Sequence, residues 1–127
     1  MLHLDTSILV DALTGPRRSA PRLRAAIESG ERIQMSTIVL YEWLRGPRVP
    51  AELADQEELF PREETIPFGA EEAATAARLY ARVKRSRGRE IDLAIAASAI
   101  LHGAALWTLN RDDFADIPDL RLSPQAG

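Results

Sequence analysis

Four acidic residues have sequence surroundings that make them candidates for metal chemistry. Asp5 follows the apolar start MLHL, and Glu42 interrupts the apolar stretch IVLYEWL. Asp92 opens the small-residue segment DLAIAASA, and Asp113 follows ALWTL in the run NRDDF. Carboxylates are the ligands that Mg²⁺ and Mn²⁺ prefer, and two such ions about 4 Å apart can orient water and polarise a phosphodiester. If the four acids converge, they predict metal-dependent phosphodiester hydrolysis.

Each acid also has an ordinary structural explanation. Asp5 could be a turn or N-cap residue, and Asp92 could be a first-turn acid stabilised by the helix dipole. Asp113 could be an exposed turn residue. Glu42 is the hardest to explain in this way because it interrupts an apolar face, although a salt bridge to Arg45 would account for it. The alternatives therefore differ in whether the four side chains meet.

The elements that must position these acids alternate between short apolar runs and helical patterns. This alternation is typical of βα units and a parallel sheet. We predict strands at 2–4, 32–35, 63–68, 105–109 and 120–122. We predict helices at 8–13 (begun by Thr6 or Ser7), 19–29, from a Ser36 cap to Trp43, 50–60, 69–86 and 91–101, with a turn or short helix at 111–115. Ligands bind at the carboxyl ends of parallel strands, where Asp5 and Asp113 would lie.

Composition predicts one domain, spanning residues 1–127, and a reducing compartment. The chain has no cysteine, which excludes disulfides, thiolate zinc sites and a cysteine nucleophile. No apolar run approaches the roughly 20 residues of a membrane span, and the N-terminus lacks a basic signal-peptide region. We therefore expect a cytoplasmic protein that does not bind membranes.

Charge is distributed unevenly along the chain. The net charge of −3 argues against broad electrostatic adhesion to nucleic acid. However, a basic stretch lies just before Asp92 and could guide an RNA backbone toward the acids, through Arg82, Arg85, Arg87 and Arg89. The alternative is a solvated helix end.

Four motifs occur in an order that resembles the PIN-domain ribonucleases, in particular the VapC-type toxins of bacterial toxin–antitoxin pairs. A strand leads into Asp5-Thr-Ser, and a glutamate is followed by glycine in Glu42-Trp-Leu-Arg-Gly. The segment from Asp92 to Ala99 has the form Asp-x-x-Ile-Ala-Ala-x-Ala, and Thr-x-Asn-x-x-Asp-Phe ends at Phe114. The resemblance extends over nearly the whole chain.

The resemblance implies a Rossmann-like α/β/α sandwich with a central, mainly parallel sheet. It also implies an endoribonuclease dependent on Mg²⁺ or Mn²⁺, a cognate antitoxin partner and a homodimer. By position, the acids that would bind metal and act in catalysis are Asp5, Glu42, Asp92 and Asp113. The supporting polar residues would be Ser7, Thr108 and Asn110. The spacing to Asn110 and Phe114 argues against Asp112 as the functional acid.

Other functions remain as alternatives. A catalytically inactive PIN-like module that binds RNA or a protein partner would keep the fold without cleavage. A phosphatase of the haloacid-dehalogenase type requires a second acid two residues after Asp5, where this chain has Ser7. A structure-specific DNA nuclease would need DNA-gripping elements for which this chain is too short.

Overall fold

A three-stranded parallel sheet forms the centre of the computed structural model, which describes residues 1–124. Strand β1 (Leu2–Leu4) lies between β2 (Ile33–Gln34) and β3 (Ala105–Trp107). In the register, Leu2 pairs with Ile33 on one side and with Ala105 on the other. All three strands therefore end at the same edge, and Asp5 leaves the middle one there.

Helices connect the strands, as parallel pairing requires. They are α1 (Thr6–Leu13), α2 (Ala20–Glu28), α3 (Thr37–Arg45), α4 (Pro50–Leu59), α5 (Ala70–Arg82), α6 (Glu90–Leu101) and α7 (Arg111–Phe114), with a 3₁₀ turn at Arg62–Glu64. The predicted α/β class is confirmed. Within residues 1–124, no helix is long and apolar enough to cross a membrane.

The core is built around α6, the most deeply buried helix. Every residue from Leu93 to Ala99 is buried. A helix that is apolar on all sides belongs in the interior, and its alanines allow neighbouring elements to approach closely. Trp43 and Trp107 are both completely buried in the same core, as expected for large apolar rings.

Several predicted boundaries were wrong. The segments 63–68 and 120–122 form only isolated parallel bridges, Ser36 with Ile66 and Leu106 with Leu122. The first begins in a 3₁₀ turn and contains Pro67, which has no N–H to donate to a ladder.

The helix predicted over 69–86 ends at Arg82 instead. Val83 is already extended, with φ −82° and ψ 152°, and Arg85 adopts a positive φ of 55°, which an α-helix cannot include. At the start of α1, the N-cap is Asp5, whereas Thr6 and Ser7 lie inside the helix.

Candidate active site

Asp5 lies where β1 passes into α1. Its backbone N–H donates to the carbonyl of Trp107 at 2.9 Å, which joins it to the end of β3. Asp5 occupies the N-cap position, but its side chain makes no capping hydrogen bond, and only 4% of the residue is exposed. The capping explanation for this carboxylate is therefore wrong, because the side chain is oriented by other groups.

Two hydroxyl groups hold the Asp5 carboxylate. Ser7 Oγ and Thr108 Oγ1 both donate to Asp5 Oδ2, at 2.8 and 2.7 Å. Ser7 Oγ accepts the N–H of Leu109 at 3.0 Å, and Thr108 Oγ1 accepts the N–H of Asn110 at 2.9 Å. The structure thus brings all three predicted supporting residues to Asp5, with Asn110 taking part through its backbone.

Glu42 approaches the same region from α3. The helix begins at a Ser36 cap, whose side chain accepts the N–H of Val39, as the sequence predicted. Glu42 Oε1 accepts a hydrogen bond from Thr6 Oγ1 at 2.6 Å. Its Oε2 accepts one from Arg45 at 3.3 Å, so the alternative salt bridge is also formed. Nothing in the local sequence pattern predicts this role of Thr6, because the contact joins residues 36 positions apart.

Asp92 experiences the negative charge of the other three acids. Burial first, and then the charges of Asp5, Asp113 and Glu42, raise its pKa from 3.8 to about 6, while Arg89 lowers it. Desolvation and nearby like charge both disfavour ionisation. The charges of three carboxylates from three other segments therefore act on Asp92, and none of the single-residue explanations predicts this.

A groove of about 500 Å³ runs along these acids. Asp113 is exposed and lines an adjoining hollow of about 340 Å³ that shares Leu109 and Asn110 with the groove. The residues that line the groove are Asp5, Thr6, Ser7, Val10, Asp11, Thr14, Gly15, Pro16, Glu42, Asp92, Leu109 and Asn110.

The donor chemistry of this site suits a hard divalent cation. Its carboxylates supply oxygen ligands, and a bound cation would neutralise the repulsion between carboxylates that raises the pKa of Asp92. As the side chains stand, however, no group of three or more His, Cys, Asp or Glu in residues 1–124 could hold a metal ion. The carboxylates therefore line the groove and its adjoining hollow without forming a cluster that could hold a metal ion.

The basic stretch divides into two kinds of residue. Arg82 pairs with Asp119 at 3.2 Å, and Arg89 pairs with Asp116 at 2.6 Å. Arg85 and Arg87 are exposed on the loop between α5 and α6. Because Arg89 is already held by protein groups, the geometry favours only the two loop arginines as contacts for a ligand.

A second cavity of about 360 Å³ lies between α1, α2 and α4. Its apolar lining includes Leu13, Leu23, Ile27 and Leu59. Of these, Ile27 is 40% exposed and Leu59 is 41% exposed. Charged residues surround this lining: Arg17, Arg24, Glu28, Asp55 and Glu58. An exposed apolar groove with a charged rim is typical of a protein-binding surface.

The fold and the site together define a class: an α/β protein with a carboxylate-lined groove at the carboxyl edge of a parallel sheet. The family model described as PIN domain matches residues 2–120. Ribonuclease VapC19 of Mycobacterium tuberculosis is 38% identical over 123 residues, which cover 95% of this chain and 98% of that protein. The chain therefore belongs to the PIN-domain family and, within it, to the VapC ribonucleases.

Solved structures share this fold. The DNA-bound VapBC of Salmonella typhimurium has a TM-score of 0.78 at 23% identity, over 96% of both chains. A chain of VapBC2 from Rickettsia felis, bound to a DNA fragment from its promoter, gives 0.70 at 24% identity over 97% of this chain and 98% of that one. A toxin–antitoxin complex from Klebsiella pneumoniae gives 0.67 at 26% identity over the full length of both chains. The predicted PIN-like sandwich is thereby confirmed.

Proposed function

We propose that this chain is an endoribonuclease that hydrolyses RNA with the help of Mg²⁺ or Mn²⁺ and acts as the toxin of a toxin–antitoxin pair. The observation that carries the proposal is that Asp5, Glu42 and Asp92 line one groove, while Asp113 lies in the adjoining hollow and its charge still acts on Asp92. The relationship to a ribonuclease, at 38% identity over nearly the whole chain, supports RNA as the substrate class.

The chain's own residues have distinct parts in this proposal. Asp5, Glu42, Asp92 and Asp113 would hold the ions, which when bound would supply an activated water and neutralise phosphate charge. Ser7 and Thr108 fix the orientation of the Asp5 carboxylate through its Oδ2. Thr6 does the same for Glu42.

Phosphate attraction would come from the loop between α5 and α6. Arg85 and Arg87 are exposed there, and the loop leads directly into the helix that bears Asp92. Such contacts carry no base specificity but hold the backbone in register. Replacing either arginine should reduce the salt dependence of RNA binding by about one unit of slope.

The partner that fits the second cavity is an antitoxin segment with an apolar face. The VapBC complexes named above pair this fold with an antitoxin, and the groove between α1, α2 and α4 offers exposed apolar area with a rim of both charge signs. Ile27→Asp should abolish co-purification with the adjacent gene's product. Val49→Asp, at an exposed apolar residue outside the groove, is the matched control.

Cleavage of a panel of structured RNAs tests the nuclease, with Mg²⁺, Mn²⁺ or EDTA. Asp5→Asn should abolish metal-dependent cuts. Asp112→Asn is the matched control, since Asp112 is an exposed acid one position from Asp113. Cuts that persist in Asp5→Asn, or in EDTA, would contradict the proposed chemistry.

A catalytically inactive module that binds RNA or a protein is the second candidate. It is favoured by the engagement of both Glu42 oxygens with Thr6 and Arg45. Titration of Mn²⁺ separates the two functions, because the inactive module would bind RNA or its partner without binding metal. The homodimer stays a prediction, which light scattering of the purified chain would test.

A further inference from the structure

The guanidinium of Arg89 joins three segments of the chain. Its Nη1 and Nη2 donate to the two carboxylate oxygens of Asp116, at 2.9 and 2.6 Å. Nη2 also donates to the backbone carbonyl of Asp113 at 2.9 Å, and Nη1 to that of Lys84 at 3.2 Å. The side chain is only 21% exposed. This fork therefore connects the loop after α5, the start of α6 and the end of α7.

The same residue is the N-cap of the helix that carries Asp92. The backbone carbonyl of Arg89 accepts the N–H of Leu93 at 2.9 Å, and Asp92 lies in that first turn. Asp113 is held from the other side, through its own backbone carbonyl. A planar guanidinium with a bidentate carboxylate fixes orientation as well as distance, unlike a lysine ammonium.

We infer that Arg89 is a positioning residue for the acidic groove, because its fork onto Asp116 and the Asp113 carbonyl holds Asp113 beside the Asp92 end of α6. These three residues, Arg89, Asp113 and Asp116, form what we call the Arg89 clamp. The inference rests on the proposed function, since it assigns the clamp to the carboxylates proposed to bind metal. It also gives Arg89 a role other than contact with RNA.

The charge of Arg89 and its geometry have opposite effects on metal binding. Its positive charge lies near Asp92 and Asp113 and offsets their repulsion. Removing that charge would strengthen the attraction of the groove for a cation, whereas losing the clamp would misplace one ligand. Variants that keep the charge therefore isolate the positioning role.

Two such variants test the clamp in the full-length chain. Arg89→Lys keeps the positive charge but loses the fork. Asp116→Asn keeps Arg89 but weakens its anchor, and the negative charge that it removes is matched by the control variant described next. Loss of groups that orient metal ligands typically costs 10- to 100-fold in metal affinity, so we expect Mn²⁺ binding in calorimetric titration to weaken by roughly 10-fold or more in each. Because both act through one contact, the double variant should lose little more than either single one.

The control variant is Asp119→Asn. Asp119 pairs with Arg82 at 3.2 Å, in a more exposed ion pair that also links the end of α5 to the segment after α7. Its positive φ of 68° suits asparagine as well as aspartate. Mn²⁺ affinity should therefore be unchanged in this variant.

Kinetics with RNA separate positioning from substrate contact. A clamp that positions metal ligands predicts a lower kcat with an unchanged KM, whereas contact with phosphate predicts a higher KM. Wild-type Mn²⁺ affinity in Arg89→Lys and Asp116→Asn, or an effect confined to KM, would overturn the inference. If Arg89→Lys does not fold, the Mn²⁺ affinity and the kinetics of Asp116→Asn test the inference by themselves.

Failure of the proposed function would give results that differ from failure of the Arg89 clamp. A wild-type chain that binds Mn²⁺ but cleaves no RNA would contradict the ribonuclease, while the Mn²⁺ titrations would still measure the clamp. A wild-type chain that binds no Mn²⁺ would contradict the metal site. Amide exchange of α7 would then report the clamp, and unchanged exchange in Asp116→Asn would overturn it.

Discussion

Replacing Asp92 by asparagine is expected to stabilise the metal-free protein at neutral pH. Burial and the charges of Asp5, Asp113 and Glu42 raise the pKa of Asp92 from 3.8 to about 6. One pKa unit corresponds to about 1.4 kcal/mol, so ionised Asp92 opposes folding by about 3 kcal/mol at most. Solvent reaches the groove and screens this repulsion, which leaves about 1–2 kcal/mol.

The helix dipole opposes this gain. Asp92 lies in the first turn of α6, where a negative charge stabilises a helix by about 0.3–1 kcal/mol. The repulsion is the larger effect, so Asp92→Asn should raise the free energy of unfolding by about 1 kcal/mol. Glu90→Gln is the matched control, because it removes another first-turn charge without relieving the groove. It should destabilise the protein slightly.

The effect has a defined pH dependence. Between the unfolded pKa of 3.8 and the folded value of about 6, the folded chain holds a proton that the unfolded chain has lost. The contribution of Asp92 to stability therefore falls as pH rises through this window, and its full cost is present above it. The advantage of Asp92→Asn should shrink to about one third at about pH 4.5, compared with about pH 7.5.

Urea unfolding in EDTA, at both pH values, measures these differences. Added Mg²⁺ should stabilise the wild type more than Asp92→Asn, because only the wild type has the complete ligand set. The reasoning would be refuted if Asp92→Asn were less stable than the wild type at neutral pH, or if its advantage grew on acidification. Either result would place Asp92 outside the repulsion of the groove.

Three further predictions concern positions around the site and in the core. Thr108→Val removes a donor to Asp5, so RNA cleavage should fall by roughly 10-fold or more with an unchanged circular dichroism spectrum. Burial lowers the pKa of His3 from 6.5 to about 4. As pH falls through that range, the free energy of unfolding should fall by up to about 3 kcal/mol, because the unfolded chain binds a proton that the folded chain does not. Urea unfolding of His3→Leu at several pH values should lack this decrease. The guanidinium of Arg48 lies over the Trp43 ring, 4.2 Å from its centroid. In Gly46→Ala the new methyl group would lie 2.7 Å from Arg48 Nη2, and displacing this cation from the ring should lower the free energy of unfolding in urea by about 0.5–1 kcal/mol.

Local patterns were sufficient for most elements of the fold. The apolar runs predicted β1, β2 and β3, and helical spacing with caps predicted every α-helix to within a few residues, apart from the end of α5. Of the two wrong strands, 63–68 contains Pro67, a local feature that argues against a ladder. The pairing of 120–122 depends on which strand edge the packed sheet offers it, and no local pattern determines that.

The sequence also determined which acids to consider, because each of them interrupts, opens or follows an apolar segment: Asp5, Glu42, Asp92 and Asp113. It could not decide between capping, pairing and convergence for any of them. Only the packed structure shows that the Asp5 side chain makes no capping hydrogen bond and that Glu42 accepts hydrogen bonds from both Thr6 and Arg45.

The sequence likewise could not show which arginines of the basic stretch pair with acids and which remain exposed. Arg85, Arg87 and Arg89 look alike in the sequence, yet Arg89 is anchored to Asp116, 27 positions away. Residue type and local spacing fix what a side chain can do and which element carries it. Which groups it meets is set by the packing of α6 and α7 at the edge of the sheet, because contacts over such separations exist only once the core has formed.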